Sequence, residues 1–330
     1  MLVTASDSET RITATRSGKT VRVNSHGEET DLYISVPSQF NADVATSSGQ
    51  IQFKGLISGS VTASTGGGDI MMDNVDGEVD LRTSGGELNI KDVDGDARLH
   101  SSGGDVYVGR VAGNLDVSSG GGNLSLNDVG KNLTAKTGGG TIDAGNIGGT
   151  ATLSTGGGDV TIGTVKGQLA AGTGGGNISA GKAEASVTLR TSGGDIELNG
   201  ATGAVIARSS GGSISVDNIT GTIEASTSGG EVTAKLKPSG TGHSSIESAG
   251  GDITLYIPET AKAKIDATIR IRGRWITRTQ ESDIHSDFKA ASFVRDEDQS
   301  VIKGTYILNG GGEEIALETV NSSITIKTLK

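Results

Sequence analysis

The feature that most limits what this chain can fold into is a fixed spacing. The aliphatic residue that follows each glycine cluster falls at Ile51, Ile70, Leu88, Val106, Leu124, Ile142, Val160, Ile178, Ile196, Ile214, Val232 and Ile253. From Ile70 to Val232 every step is 18 residues, whereas the first step is 19 and the last 21. Self-similarity at a constant period of this size marks a solenoid, in which each repeat covers its neighbour. Ser154–Gly172, STGGGDVTIGTVKGQLAAG, contains one copy.

With the aliphatic marker as position 0, the unit at Val160 places apolar or small residues at Val160, Ile162, Val165, Leu169 and Ala171, followed by Thr173. Polar neighbours alternate with them at 0 and +2 and again at +9, +11 and +13. Alternation with a period of two is the pattern of a strand with one buried face. Each repeat therefore reads as two short strands joined through a corner at +5. One glycine lies at +7 (Gly77, Gly95, Gly113, Gly167) and a run of two or three precedes the next marker (Gly120–Gly122, Gly138–Gly140). Glycine tolerates positive φ, so these are read as the sharp turns. Such a unit cannot bury its apolar face alone, and stacked units can.

The fold expected is all-β, a parallel β-solenoid (β-helix) of about eleven 18-residue coils with N- and C-terminal caps. At roughly 4.8 Å per coil it would extend for about 50 Å. Spacing alone does not fix its handedness, and right-handed winding is the favoured expectation. The chain divides into an N-terminal β cap at 1–41, the repeats at 42–255, a C-terminal cap excursion at 256–309 and a final coil at 310–330. In the cap, Ile12, Ala14, Val21, Val23, Leu32, Ile34 and Val36 alternate as strands up to Pro37. In the excursion, Ala263, Ile265, Ala267, Ile269 and Ile271 alternate without a glycine stop. Ile315, Leu317, Val320, Ile324, Ile326 and Thr328 then fit the repeat at positions 0, +2, +5, +9, +11 and +13.

Composition agrees with a thin interior. Only 33% of the 330 residues are hydrophobic and 3% aromatic, too few for a thick globular core. The net charge of −11 disfavours nucleic acid as a partner, because phosphate binding needs a basic surface. The absence of cysteine excludes disulfides, thiolate metal ligands and cysteine nucleophiles. No apolar run reaches the length of a transmembrane segment. The start Met1-Leu-Val-Thr has neither a basic nor an apolar signal region, so the expectation is either a protein that is not secreted or one whose signal segment has been removed.

The motifs also resemble a family. The recurrent Ser/Thr-Gly-Gly-Asp/Glu-Ile/Val units, the Val-x-Gly corners and the closing stretch LETVNSSITI at 317–326 are similar to a bacterial adhesin-like β-strand-repeat family, a domain of unknown function. The resemblance covers nearly the whole chain and implies an exported protein of the cell envelope or extracellular space. It carries no catalytic residues.

Several groups of residues invite a chemical reading. A Thr/Ser column (Thr65, Thr83, Ser101, Ser119, Thr137, Thr155, Thr173, Thr191, Ser209, Thr227, Ser248) suggests an ice-binding row, but it lies in phase with the buried positions. Its hydroxyls are expected to bond along the stack or to the glycine turns. A column before the marker (Asp69, Glu87, Asp105, Asn123, Asp159, Asn177, Asp195, Glu231, Asp252) suggests calcium; Asx bonds that stabilise each turn are the simpler reading. The glycine runs lack the lysine and helix of a phosphate loop. His26, His100, His243 and His285 share no ligand spacing, so neither a metal nor a cofactor is expected.

Arg270, Arg272, Arg274 and Trp275, with Arg278 nearby, form the one basic and aromatic cluster and are the candidate contacts for an anionic glycan or lipid headgroup. Their alternative role is to pair with Asp283, Asp287, Asp296, Glu297 and Asp298 inside the cap. The resulting expectation is a non-enzymatic, adhesin-like surface or structural interaction module. Its partner would be an envelope protein or glycan ligand, or a second copy of itself. A polysaccharide-processing β-helix enzyme and a self-assembling fibre or matrix subunit are the alternatives. The enzyme reading is weakened by short coils and a single Trp.

Overall fold

In a computed structural model, residues 2–6, 9–16, 19–26, 31–272, 282–296 and 300–329 are described. They contain strands and no helix. They form two compact units, Met1–Val165 and Lys166–Lys330.

In the first unit two parallel ladders run side by side through the repeats. One contains Ile51–Ser58, Ile70–Asp76, Leu88–Val93, Val106–Val111, Leu124–Leu126, Ile142–Ala144 and Val160–Ile162. Its marker residues pair one above another: Ile70 with Leu88, Leu124 with Ile142, Ile142 with Val160. The other contains Asn41–Thr46, Val61–Thr65, Val79–Thr83, Ala97–Ser101, Leu115–Ser119, Leu133–Thr137 and Ala151–Thr155, again in register at each step. At the +5 corner Val111, Val129, Ile147 and Val165 are joined by single parallel bridges. The solenoid reading therefore holds at the level of individual residues.

Lys166–Lys330 repeats the plan. Ile178 pairs with Ile196, Ile196 with Ile214, Ile214 with Val232 and Val232 with Ile253. The marker, +2, +5, +9 and +11 residues of both units are buried, and each apolar side chain contributes about 1.5–3 kcal/mol by leaving water. The long first step is absorbed as a β-bulge between Phe53 and Leu56, where Gly55 adopts φ +87°. The long last step is absorbed by the connection between Val232–Leu236 and His243–Ser248.

The turn glycines are needed for a reason other than the one expected. Positive φ is not their common property. The last glycine of each run lies against the backbone of the coil below: a Cβ on Gly122 would stand 2.2 Å from the Gly104 carbonyl oxygen, and one on Gly140 2.2 Å from that of Gly122. The middle glycine of the run, as at Gly121 and Gly139, meets nothing within 4 Å. Glycine is required because successive coils touch backbone to backbone at this corner.

The Thr/Ser column closes the same corner. Ser101 is fully buried; its Oγ donates to the Gly86 carbonyl of the coil below (3.0 Å) and accepts from Gly104 N–H (2.9 Å). Thr83, Ser119, Thr191, Ser209 and Ser248 make the same two bonds in their own coils. Each hydroxyl ties its own turn to the one beneath, so the column faces inward and offers no row to ice.

The ends depart from the repeat. Leu2–Ser6 pairs antiparallel with Ile51–Ser58 and with Asp31–Ser35, while Glu9–Arg16 pairs antiparallel with Asn41–Thr46 and Lys19–His26. The N-terminal cap thus continues both ladders with reversed strands.

At the other end the chain passes over one coil and later returns to fill it. Glu313–Val320 lies parallel to His243–Ser248, and Ile324–Thr328 lies parallel to Ile253–Ile257. Ala263–Arg270 lies on the far side of Glu313–Val320. This last coil is half a turn out of phase with the sequence reading: Ile315 and Leu317 occupy the +9 and +11 columns, and Ile324 and Ile326 occupy 0 and +2. Thr319, buried and bonded to the Gly251 carbonyl (2.8 Å), continues the Thr/Ser column. Both half-coils carry the same alternation, so periodicity alone cannot tell them apart.

Replacing Gly122 by Ala is expected to destabilise the fold by about 1–3 kcal/mol through overpacking, while Gly121→Ala leaves the thermal midpoint nearly unchanged. Ser101→Ala strands the buried Gly86 carbonyl and the half-buried Gly104 N–H and is expected to cost about 1–3 kcal/mol in chemical denaturation.

Candidate functional site

Positions +8 and +10 flank the buried +9 residue and point outward. On the second ladder of Met1–Val165 they line a groove of about 510 Å³ that crosses several coils. One row is Glu78, Asp96, Asn114 and Asn132; the other is Asp80, Arg98, Asp116 and Thr134. Neighbours within a row are one coil apart because the strands carrying them pair without offset. The sequence reading did not single out these residues, although the register that buries +9 and +11 also turns +8 and +10 outward.

The +8 row is a bonded ladder. Asp96 Oδ1 accepts from the backbone N–H of Asn114 (2.7 Å) and from its side-chain amide (3.1 Å). Asn114 Oδ1 in turn accepts from the Asn132 side chain (3.0 Å), and Asn132 Oδ1 from Thr150 N–H (2.9 Å). The Asn114 backbone and side-chain donors hold the Asp96 carboxyl below its ordinary value of 3.8. The +10 row mixes charge: Asp80 pairs with Arg82 (3.0 Å), two residues along its own strand.

The acidic and amide column before the marker behaves like the +8 row, which corrects the local-turn expectation. Asp69 Oδ1 accepts from Glu87 N–H (2.8 Å), Asp105 Oδ1 from Asn123 N–H (2.7 Å), and Asn123 Oδ1 from Thr141 N–H (2.9 Å). In Lys166–Lys330, Asn177 and Asp195 cap Asp195 N–H (2.8 Å) and Ser213 N–H (2.7 Å). Each of these side chains reaches up to the backbone of the next coil, eighteen residues on. Backbone donors of the next coil thus meet the carboxylates of Asp69, Asp105 and Asp195. Among the described residues no three His, Asp or Glu side chains converge as a metal site.

Of the arginine cluster, Arg270 and Arg272 lie among the described residues. Arg270 closes the strand Ala263–Arg270 and forms an exposed ion pair with Glu318 across to Glu313–Val320. Arg272 is exposed just beyond the strand, and its backbone is held by Asn321, which accepts from its N–H (2.7 Å) and donates to its carbonyl (3.0 Å). Arg274, Trp275 and Arg278 lie outside the described residues, as do Glu297 and Asp298. Three of the acids expected as partners are described, and each has a contact of its own. Asp283 binds Arg295 (2.8 Å), Asp287 accepts from Thr328 N–H (2.9 Å), and Asp296 accepts from Val301 N–H (2.9 Å). Glu318, which the sequence reading left out, is the residue that meets Arg270.

A family model described as Toastrack DUF4097 matches residues 2–199 and again 131–327. The chain belongs to this family. Its two overlapping matches are what a repeat in near-perfect register produces, since the model fits at more than one offset along the coils. The Toastrack model describes a domain of unknown function, so membership agrees with a repeat β-domain and assigns no activity. No curated protein and no solved structure matches the chain.

Acid is expected to weaken this Toastrack solenoid through its ladder carboxylates. Asp73, held by the Lys91 ammonium (2.6 Å) and by Gly55 N–H (2.9 Å), shares with Asp96 a carboxyl lowered below 3.8. A lowered folded-state value means that the stabilisation is complete above the unfolded value and is lost as pH falls through the folded one. The thermal midpoint should therefore drop between about pH 5 and pH 2, and the double variant Asp73→Asn, Asp96→Asn should show a shallower drop.

Proposed function

We propose that the protein is an adhesin-like interaction module of the bacterial cell envelope or extracellular space, holding an extended polar ligand in the groove across residues 60–134. The observation that carries this reading is the pair of outward rows repeating at one-coil intervals, Glu78–Asp96–Asn114–Asn132 and Asp80–Arg98–Asp116–Thr134. A ligand with hydroxyl or amide groups at regular intervals, such as a glycan chain, can match such rows one coil after another. Many weak polar contacts then add up along its length.

The reading is non-enzymatic. Asp96 is kept in its ionised form by amide donors, which suits an acceptor of ligand hydroxyls and not a proton donor to a leaving group. The groove offers hydrogen-bonding carboxylates, amides and a guanidinium on a rigid sheet, so little order has to be imposed on the protein when the ligand binds. Family membership supports a repeat β-domain of this kind, and the envelope location rests on the resemblance to adhesin-like bacterial proteins.

A glycan and envelope-protein array probed with the full chain tests the reading. Asp80→Lys with Asp116→Lys, folded by circular dichroism, is expected to lose at least about tenfold in affinity for the hits, or about 1.4 kcal/mol. Arg270→Ala with Arg272→Ala is expected to bind as the parent does. Loss of binding only in the arginine variant would move the site to the C-terminal cap, and release of reducing sugar from a bound glycan would overturn the non-enzymatic reading.

A further inference from the structure

The last coil of Lys166–Lys330 is an insertion into a slot that earlier parts of the chain already define. Glu313–Val320 lies between His243–Ser248 and Ala263–Arg270, parallel to both. Ile324–Thr328 lies between Ile253–Ile257 and Ile284–Ser286, again parallel to both. All four neighbours precede it in sequence. Without this coil, each of them loses a full strand of hydrogen bonds, and the buried Ile315, Leu317, Ile324 and Ile326 lose their place in the core.

The coil reaches the slot by an abrupt crossover. Val301–Leu308 pairs antiparallel with one edge of Ala263–Arg270, and Glu313–Val320 pairs with the other. The four residues between, Asn309-Gly310-Gly311-Gly312, cross from edge to edge. Asn309, Gly310 and Gly311 take φ of +49°, +87° and +83°. The Asn309 side-chain amide donates to the carbonyls of Glu259 and Ala261 (2.8 Å each) and pins the bend.

Glycine changes the sign of φ without penalty, so the crossover can straighten into an extended linker of about 13 Å at no steric cost. Beside it, Glu313 is fully buried: Oε1 accepts from Ser244 Oγ (2.8 Å), whereas Oε2 has no partner among the described residues. A half-satisfied buried carboxylate weakens the hold at the first residue of the inserted strand.

We propose that this coil, residues 313–328, exchanges between two copies of the chain, each copy filling the other's slot. The contacts made by the coil are the same in the closed and exchanged forms. Only the hinge differs, and this hinge is built of residues able to adopt both shapes. Exchange of an identical element is a low-cost route to a dimer under those conditions. The partner surface is the pair of edges offered by His243–Ser248 and Ala263–Arg270, and the occupant is the same segment of a second copy.

The experiment uses the full chain, which has no cysteine of its own. Ser245 and Ala316 are register partners across the slot. Isotope-labelled and unlabelled copies carrying Ser245→Cys with Ala316→Cys are mixed, unfolded, refolded over a range of concentrations and oxidised. Mass spectrometry of the linked peptides then reads which copies the disulfide joins. Exchange predicts a disulfide from position 245 of one copy to position 316 of another, joining labelled to unlabelled chains and rising several-fold with refolding concentration. Gly310→Pro with Gly311→Pro, which forbids the closed φ values and permits the extended ones, is expected to raise the mixed linkage further. A linkage found within single copies at every concentration overturns the proposal. So does a dimer joined only through two copies of the same position, 245 to 245 or 316 to 316. If the proline variant does not fold, the concentration series with the native hinge decides.

Discussion

The structure depends on coils that stack with no lateral offset, close enough for backbone to touch backbone at one corner. Everything distinctive about the repeat follows from that contact. The last glycine of each run has no room for a Cβ, the Thr or Ser before the run has two orphaned groups within reach, and the Asp or Asn after it has the next coil's N–H above it. A coil one residue longer has to expel the extra residue from the stack, as the bulge at Gly55 does.

The same contact explains how a chain with so few aromatic residues builds a core. Stacking aligns like with like, so small aliphatic side chains fill straight interior columns such as Leu124, Ile142 and Val160 without large groups to close gaps. Among the described residues the buried aromatic side chains, Phe40, Phe53 and Tyr306, lie near the capped ends, where the columns stop and the neighbouring strands reverse direction. Outside, the alignment turns single polar residues into rows. A groove whose walls repeat with the coil spacing is a by-product of the stacking, and it needs no dedicated loop.

Charge is handled in the same economical manner. The net charge of −11 includes columns in which Asn, Thr and Ser interrupt the carboxylates, and oxygens of Asp69, Asp96 and Asp105 accept backbone amides. Such bonds are charge-assisted and hold the carboxylate in place without a metal ion. An exposed ion pair such as that between Arg270 and Glu318 contributes little on its own.

The sequence by itself determined the period, the buried positions and the inward turn of the Thr/Ser column, because a spacing of eighteen and an alternation of two leave one consistent stack. It also marked where the repeat breaks, at the cap, at the connection before His243 and at the excursion. Only the tertiary structure decided which half-coil the closing LETVN segment fills, since Ile315–Leu317 and Ile324–Ile326 carry the same alternation and differ only in their neighbours. Only the structure separated the crowded Gly122 from the open Gly121, and showed that Asp105 reaches the next coil. Those facts depend on the distance between one coil and the next, which the spacing of residues along a single chain does not contain.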